Sequence, residues 1–219
     1  MAYVEVQTAP GADLGGFSKS DAQVQVNQID PEFLTQGRYL MQSPYAEQAH
    51  LLDLETLNHE NVLLARGLTR LQVLRDDYAT APYVESFNWP EVISEVKRLA
   101  KESGKSFKET SFYIVAFRSQ IKTSTEYADL GRLDQAAHAE AVASGGFLKY
   151  WFGEPDSDLR NLATCIWRTR EDAKNGGKGP AHREAAGATR AMYAYWKIDQ
   201  HRLVIQDDVE SWEIIPWQD

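Results

Sequence analysis

The sequence predicts an α+β fold built on a β-α-β-β-α-β unit, the split βαβ arrangement. Three observations carry this reading. Two apolar, aromatic-rich runs at 146–152 and 162–168 flank a turn-rich stretch at 154–158. An earlier run at 112–121 has the aromatic and β-branched content of a strand buried on both faces, with Arg118 as its one charge. Helical patterns follow the first and third of these runs, at 126–143 and at about 181–196, and a short apolar run at 202–205 supplies the closing strand.

Each element has a local reason. Residues 1–38 alternate small and polar groups without a sustained apolar period, which predicts a surface arm, with Val24 and Val26 as its one candidate for a short edge strand. From position 45 the pattern changes. Leu51, Leu52, Leu54 and Leu57 precede Asn58, a plausible N-cap, and Val62, Leu63, Leu64, Leu68 and Leu71 then recur at helical spacing. A second helix starts at Pro90, carries Val92, Ile93, Val96 and Leu99 on one face, and stops at Gly104. The stripe Leu130, Leu133, Ala137 and Ala141 ends at Ser144-Gly145-Gly146. Pro180 opens the last helix after a Gly- and Lys-rich linker, and the apolar tail at 212–217 is expected to dock. The expected organisation is an arm over 1–38 and one domain over 39–219, made of a helical layer (45–104) and a βαββαβ core (110–206).

Composition narrows the class. A chain of 219 residues can bury an ample core without staples, and its single cysteine, Cys165 in an apolar run, reads as a buried inert thiol in a reducing, cytoplasmic setting. The net charge of −9, with basic residues scattered among carboxylates, argues against a nucleic-acid partner, which needs a clustered basic face. No run approaches the ~20 apolar residues of a membrane span, and the first 30 residues lack the basic start and apolar stretch of a signal peptide.

A four-stranded antiparallel sheet with both helices on one side leaves its other face in need of cover. The sequence-based expectation is an identical subunit, giving a barrel built by a homodimer. The runs at 112–119, 144–153, 160–168 and 179–183 resemble an uncharacterised fungal protein family over about residues 40–217. More remotely, the strand and tryptophan, the helix start at 167–173 and a later histidine look like the dimeric α+β barrel superfamily, with its ferredoxin-like fold. That resemblance implies a range of chemistries, including antibiotic-biosynthesis monooxygenases, polyketide cyclases and some haem-binding members.

The residues suited to chemistry are few. His138, mid-helix, and His182, in the first turn of the last helix, are candidate proton shuttles if they face a pocket; both also suit packing or capping. His182 is the stronger candidate contact to haem or substrate, because a helix N-terminus favours a bound anion. Arg118 and Arg168 end apolar strands and could grip a carboxylate or enolate, or pair with nearby carboxylates such as Glu171 or Asp172. Lys149 and Trp151 should share one face of their strand and Tyr150 the other. Phe117, Tyr150, Trp151 and Trp167 make a candidate aromatic lining for a flat ligand, or simply core. His50, His59 and His201 show no ligand spacing, so no metal site is expected. Gly176-Gly177-Lys178-Gly179 lacks the context of a phosphate loop, and no Gly-x-Ser-x-Gly elbow occurs. The expected function is an enzyme acting on a hydrophobic, aromatic or polyketide-like small molecule by cofactor-independent oxygenation or by cyclisation or isomerisation. The alternative is a non-enzymatic module that binds haem or another apolar ligand.

Overall fold

A computed structural model describes residues 37–218, so most of the expected arm, including Val24 and Val26, lies outside the described residues. Strand β1 (Tyr39–Met41) pairs with β2 (Leu51–Asp53) in a two-stranded sheet. Three helices follow, α1 (His59–Gly67), α2 (Tyr83–Ser86) and α3 (Trp89–Ser103). The core then runs β3 (Thr110–Ile121), α4 (Tyr127–Ser144), β4 (Phe147–Phe152), β5 (Arg160–Trp167), α5 (Arg170–Gly176), α6 (Pro180–Met192), β6 (Tyr193–Ile205) and β7 (Trp212–Pro216). The five-stranded sheet is ordered β4-β5-β3-β6-β7, antiparallel throughout. Its first four strands with α4 and α6 form the ferredoxin-like βαββαβ unit.

The helical layer forms where the apolar periods lie. Asn58 caps α1, its Oδ1 accepting from the Asn61 N–H at 3.0 Å. Pro90 sits in the first turn of α3, and Gly104 ends it in the left-handed region at φ +67°. Val92, Ile93, Val96 and Ala100 form the buried stripe of α3. Gly67 lets α1 approach it, because a Cβ there would meet Val96 and the Val92 carbonyl.

This layer covers the centre of one face of the sheet. Phe112, Ile114 and Ala116 of β3, Leu162 and Ile166 of β5, Leu148 of β4 and Leu203 and Ile205 of β6 form one core with Leu64, Leu68, Trp89, Val92 and Val96. The expected identical subunit is therefore not what covers this face; the chain's own helices do. The physical reason is that α1 and α3 each carry an apolar stripe with no other partner, and burying one Leu, Val or Phe contributes about 1.5–3 kcal/mol.

The opposite face carries α4 and α5 over Tyr113, Val115, Phe147, Cys165 and Trp167. Helix α6 packs on α4 and buries none of its residues. The last helix is shorter than the pattern suggests. It stops at Met192, and Tyr193–Ile198 continues as strand, because this aromatic and β-branched stretch finds a ladder along 117–121 of β3. The short run at 202–205 is thus the end of a 13-residue strand. The apolar tail docks as β7, the fifth strand.

Candidate functional site

The α4 side of the sheet gathers a carboxylate, two phenols and two imidazoles into one hydrogen-bonded cluster. Asp134 and His138 lie one turn apart on α4, so they share its inner stripe with Ala141. Tyr150 of β4 points to the same side, opposite Cys165. The segment leading to β2 crosses α4 and brings in Tyr45 and His50, both buried.

Asp134 accepts two phenol hydrogen bonds, Oδ2 from the Tyr45 hydroxyl and Oδ1 from the Tyr150 hydroxyl. Burial raises its carboxyl above the ordinary carboxylate range, and the two phenol bonds pull the other way. Burial and the adjacent carboxylate raise both phenols above their usual range. His50 Nδ1 lies 2.8 Å from His138 Nδ1, so one ring donates and the other accepts. Burial lowers His50, against the pull of Glu47, and drives His138 down to about 3. Both rings are neutral near pH 7. Glu47, 3.9 Å from His50 Nε2, favours a proton on that nitrogen, which assigns His138 as the Nδ1–H donor. His138 Nε2 is then a bare lone pair, and it is buried without a hydrogen-bond partner. Tyr45, Phe147 and Tyr150 surround the ring with centroids 5.3, 5.0 and 5.4 Å away.

His182 lies beside this cluster and is held by Glu140. The Glu140 carboxylate accepts from the Ala181 N–H at 2.8 Å and the His182 N–H at 3.0 Å, with His182 Nδ1 at 3.2 Å. These backbone bonds, Ala181 first, hold Glu140 below the usual carboxylate range. The anion expected at the start of α6 is therefore the chain's own side chain.

The other sequence-derived candidates separate. Trp167 and Phe117 stay on the α4 side, Trp167 edge-on to Phe147 at 5.3 Å and Phe117 stacked on Trp196 at 6.3 Å. Trp151 is on the opposite face, packed edge-on against Phe87 and Tyr78. The aromatic set is thus divided by the sheet. A bulge between Phe147 and Lys149 places Lys149 opposite Ile166, on the layer side with Trp151, where burial lowers its ammonium to about 8.

Arg118 also faces the layer. It donates to Asp199 at 2.9 Å, to the Ala79 carbonyl at 2.6 Å, to the Ala81 carbonyl at 2.7 Å and to the Tyr78 carbonyl at 3.3 Å, pinning the 78–81 loop to the sheet. Arg168 forms a two-pronged pair with Asp172, whose backbone N–H is in turn capped by Thr169. In this arrangement both guanidinium groups serve local structure. Of the residues singled out from sequence, the structure brings together His138, Tyr150 and Trp167, with His182 alongside. Sequence reasoning missed Tyr45, His50, Asp134 and Glu140. The one available signal was the Asp134/His138 pairing on one helix face; His50 carries none, because its partner is remote in the chain.

Among the described residues no three His, Cys, Asp or Glu side chains are gathered to hold a metal ion, and no helix is long and apolar enough to cross a membrane.

Comparison with known proteins places the chain in a family. Solved structures similar to it include SnoaB, a cofactor-independent oxygenase from Streptomyces nogalater, at 15% identity and TM-score 0.35, covering 42% of this chain and 90% of that one. A putative antibiotic biosynthesis monooxygenase from Nitrosomonas europaea matches at 12% identity and TM-score 0.36, covering 48% and 89%. A dimeric ferredoxin-like protein from Thermobifida fusca matches at 12% identity and TM-score 0.35, covering 43% and 92%. The UPF0643 protein PB2B2.08 of Schizosaccharomyces pombe (strain 972 / ATCC 24843) is 36% identical over 186 residues, which span 81% of this chain and 84% of that protein. The model of the PB2B2.08-like family matches residues 41–216, which contain every element of the sheet and both helical layers, and the chain belongs to that family.

Proposed function

We propose that this protein takes a small apolar molecule bearing a hydroxyl or enol group on the α4 side of the sheet and acts on it by proton transfer. The observation that carries this reading is His138 Nε2, a buried lone pair with no partner, on a ring whose other nitrogen is already committed to His50. A buried acceptor left unpaired costs about 1–3 kcal/mol, and a ligand hydroxyl would recover that cost. Burial disfavours a proton on His138, so proton uptake must coincide with an anion forming beside it, whose charge stabilises the imidazolium. Isomerisation or cyclisation then requires only that Nε2 take a proton from one substrate atom and return it to another. Cofactor-independent oxygenation would add dioxygen as oxidant to the same carbanion. Tyr150 and Trp167 supply the apolar wall. A cytoplasmic homodimer completes the proposal.

The test uses naphthols against naphthalene in a thermal-shift assay. The expected result is a rise in melting temperature with naphthol alone, abolished in His138→Phe, which keeps the aromatic volume. An equal response of His138→Phe and wild type would overturn the reading. Haem binding is the second reading, favoured because an imidazole with its Nδ1–H held and Nε2 bare has the posture of an iron ligand. A Soret band on hemin titration, absent in His138→Gln, would select it.

A further inference from the structure

We infer that the outer edge of β6 is the surface through which two copies of this chain pair, strand to strand, about a two-fold axis at Trp196. The inference rests on the proposed self-association and names its surface. Strand β7 covers only the second half of β6, from His201 to Ile205, with one more bond from the Trp217 N–H to the Gln200 carbonyl at 2.9 Å. That bond fixes which backbone groups face outward. Gln200 points away from β3, so by the two-residue alternation of a strand Ile198 and Trp196 do too. The same parity holds from the other side, because the carbonyl of Val115, the partner of Gln200, is turned to Thr164 of β5. Trp196 and Ile198 therefore present their N–H and C=O groups along an edge with no neighbouring strand among the described residues.

The large side chains on this stretch are apolar and exposed on both faces, Tyr195 at 51%, Trp196 at 44% and Ile198 at 38%. A long apolar edge of this kind is a template for another strand unless charge or proline blunts it; no proline lies on it, and its one charged pair, Lys197 and Asp199 at 2.7 Å, shares Asp199 with Arg118. Self-pairing must be antiparallel and two-fold, and three registers centre on residues 196–198, the middle of the open stretch. An axis at Lys197 would set two lysines directly opposite each other, a destabilising pair. An axis at Ile198 would drive the partner strand into the place held by Trp217. An axis at Trp196 puts Trp196 against Trp196 of the partner subunit. Ile198 then faces the small Ala194, and Lys197 lies over Tyr195, all without a like-charge contact.

The experiment is sedimentation of the full chain at micromolar concentration, with cysteine cross-linking. Cys165, the one native cysteine, is buried. The expected result is a species of twice 24.8 kDa that falls to monomer in Trp196→Pro, a substitution the fold tolerates because that N–H points outward. Trp196→Cys should form a disulfide dimer under mild oxidation, whereas Lys197→Cys should not, since only the residue on the axis meets its own copy. A monomeric wild type would overturn self-association and the inference together. A dimer that survives Trp196→Pro and gives no Trp196→Cys cross-link would overturn the edge while leaving self-association standing.

Discussion

The two faces of the central sheet are built to opposite rules. The face under α1 and α3 is a largely apolar core in which Arg118 is saturated by Asp199 and three carbonyls, while Trp89 Nε1 and His201 Nε2 are buried there singly without a partner. The face under α4 carries an acid between two phenols, a pair of neutral histidines and a buried nitrogen without a partner. What sets the α4 side apart is that its unpaired ring nitrogen sits within a hydrogen-bonded cluster of acid, phenols and imidazoles beside aromatic rings, where a polar-headed ligand gains most. The contrast teaches that the layer side sets stability and the α4 side is the place for function, and it can be broken at either end.

The largest expected effect is on the layer side. Phe112→Ala empties a fully buried position of that core and should cost about 3–5 kcal/mol by urea denaturation, while the remaining folded protein keeps its naphthol response. Loss of that response at unchanged stability would erase the distinction between the faces. Next comes Arg118→Ala, which leaves three carbonyls without their donor and Asp199 with Lys197 alone, and should cost about 1–3 kcal/mol. Arg118→Lys should recover only part of it, because one ammonium cannot reproduce the planar fork that reaches Asp199 and the 78–81 loop together.

The α4 side should announce itself through pH. The unfolded chain takes a proton on each histidine near 6.5, while burial holds the folded His138 neutral down to about 3 and lowers His50 as well. Stability should therefore fall as pH drops below about 6.5 and go on falling toward the folded values, by at most about 1.4 kcal/mol per pH unit for each histidine. His50→Gln combined with His138→Gln should flatten the curve between pH 5 and 7, and an unchanged slope would show that these rings are solvated. The smallest effect belongs to Tyr45→Phe, which removes one of the two bonds to Asp134 and should cost about 1 kcal/mol. Because the deleted bond helps keep Asp134 ionised, that carboxyl should titrate higher still, which an NMR titration of its side chain would read.

Much of the fold was legible because it is written in local periods. The aromatic run of β3, the Asn58 cap, Pro90 at the start of α3 and the Gly145-Gly146 stop of α4 each follow from a few adjacent residues. The site was legible only in half. Asp134 and His138 share a helix face, but nothing local says that His50 and Tyr45 would cross over α4 to meet them. Nor does anything local distinguish an arginine ready for substrate from one saturated by the carbonyls of a distant loop, as Arg118 is.

By itself the sequence determined the element types and the βαββαβ order, because hydrophobic period and capping chemistry act over one or two turns. Tertiary structure alone decided that α1 and α3 cover the second face of the sheet, that 193–198 extends β6 rather than α6, and that His138 is left with a bare nitrogen. Each of those outcomes depends on which distant surface arrives first to bury an apolar stripe, complete a ladder or claim a proton, and contacts of that kind leave no periodic trace in the chain.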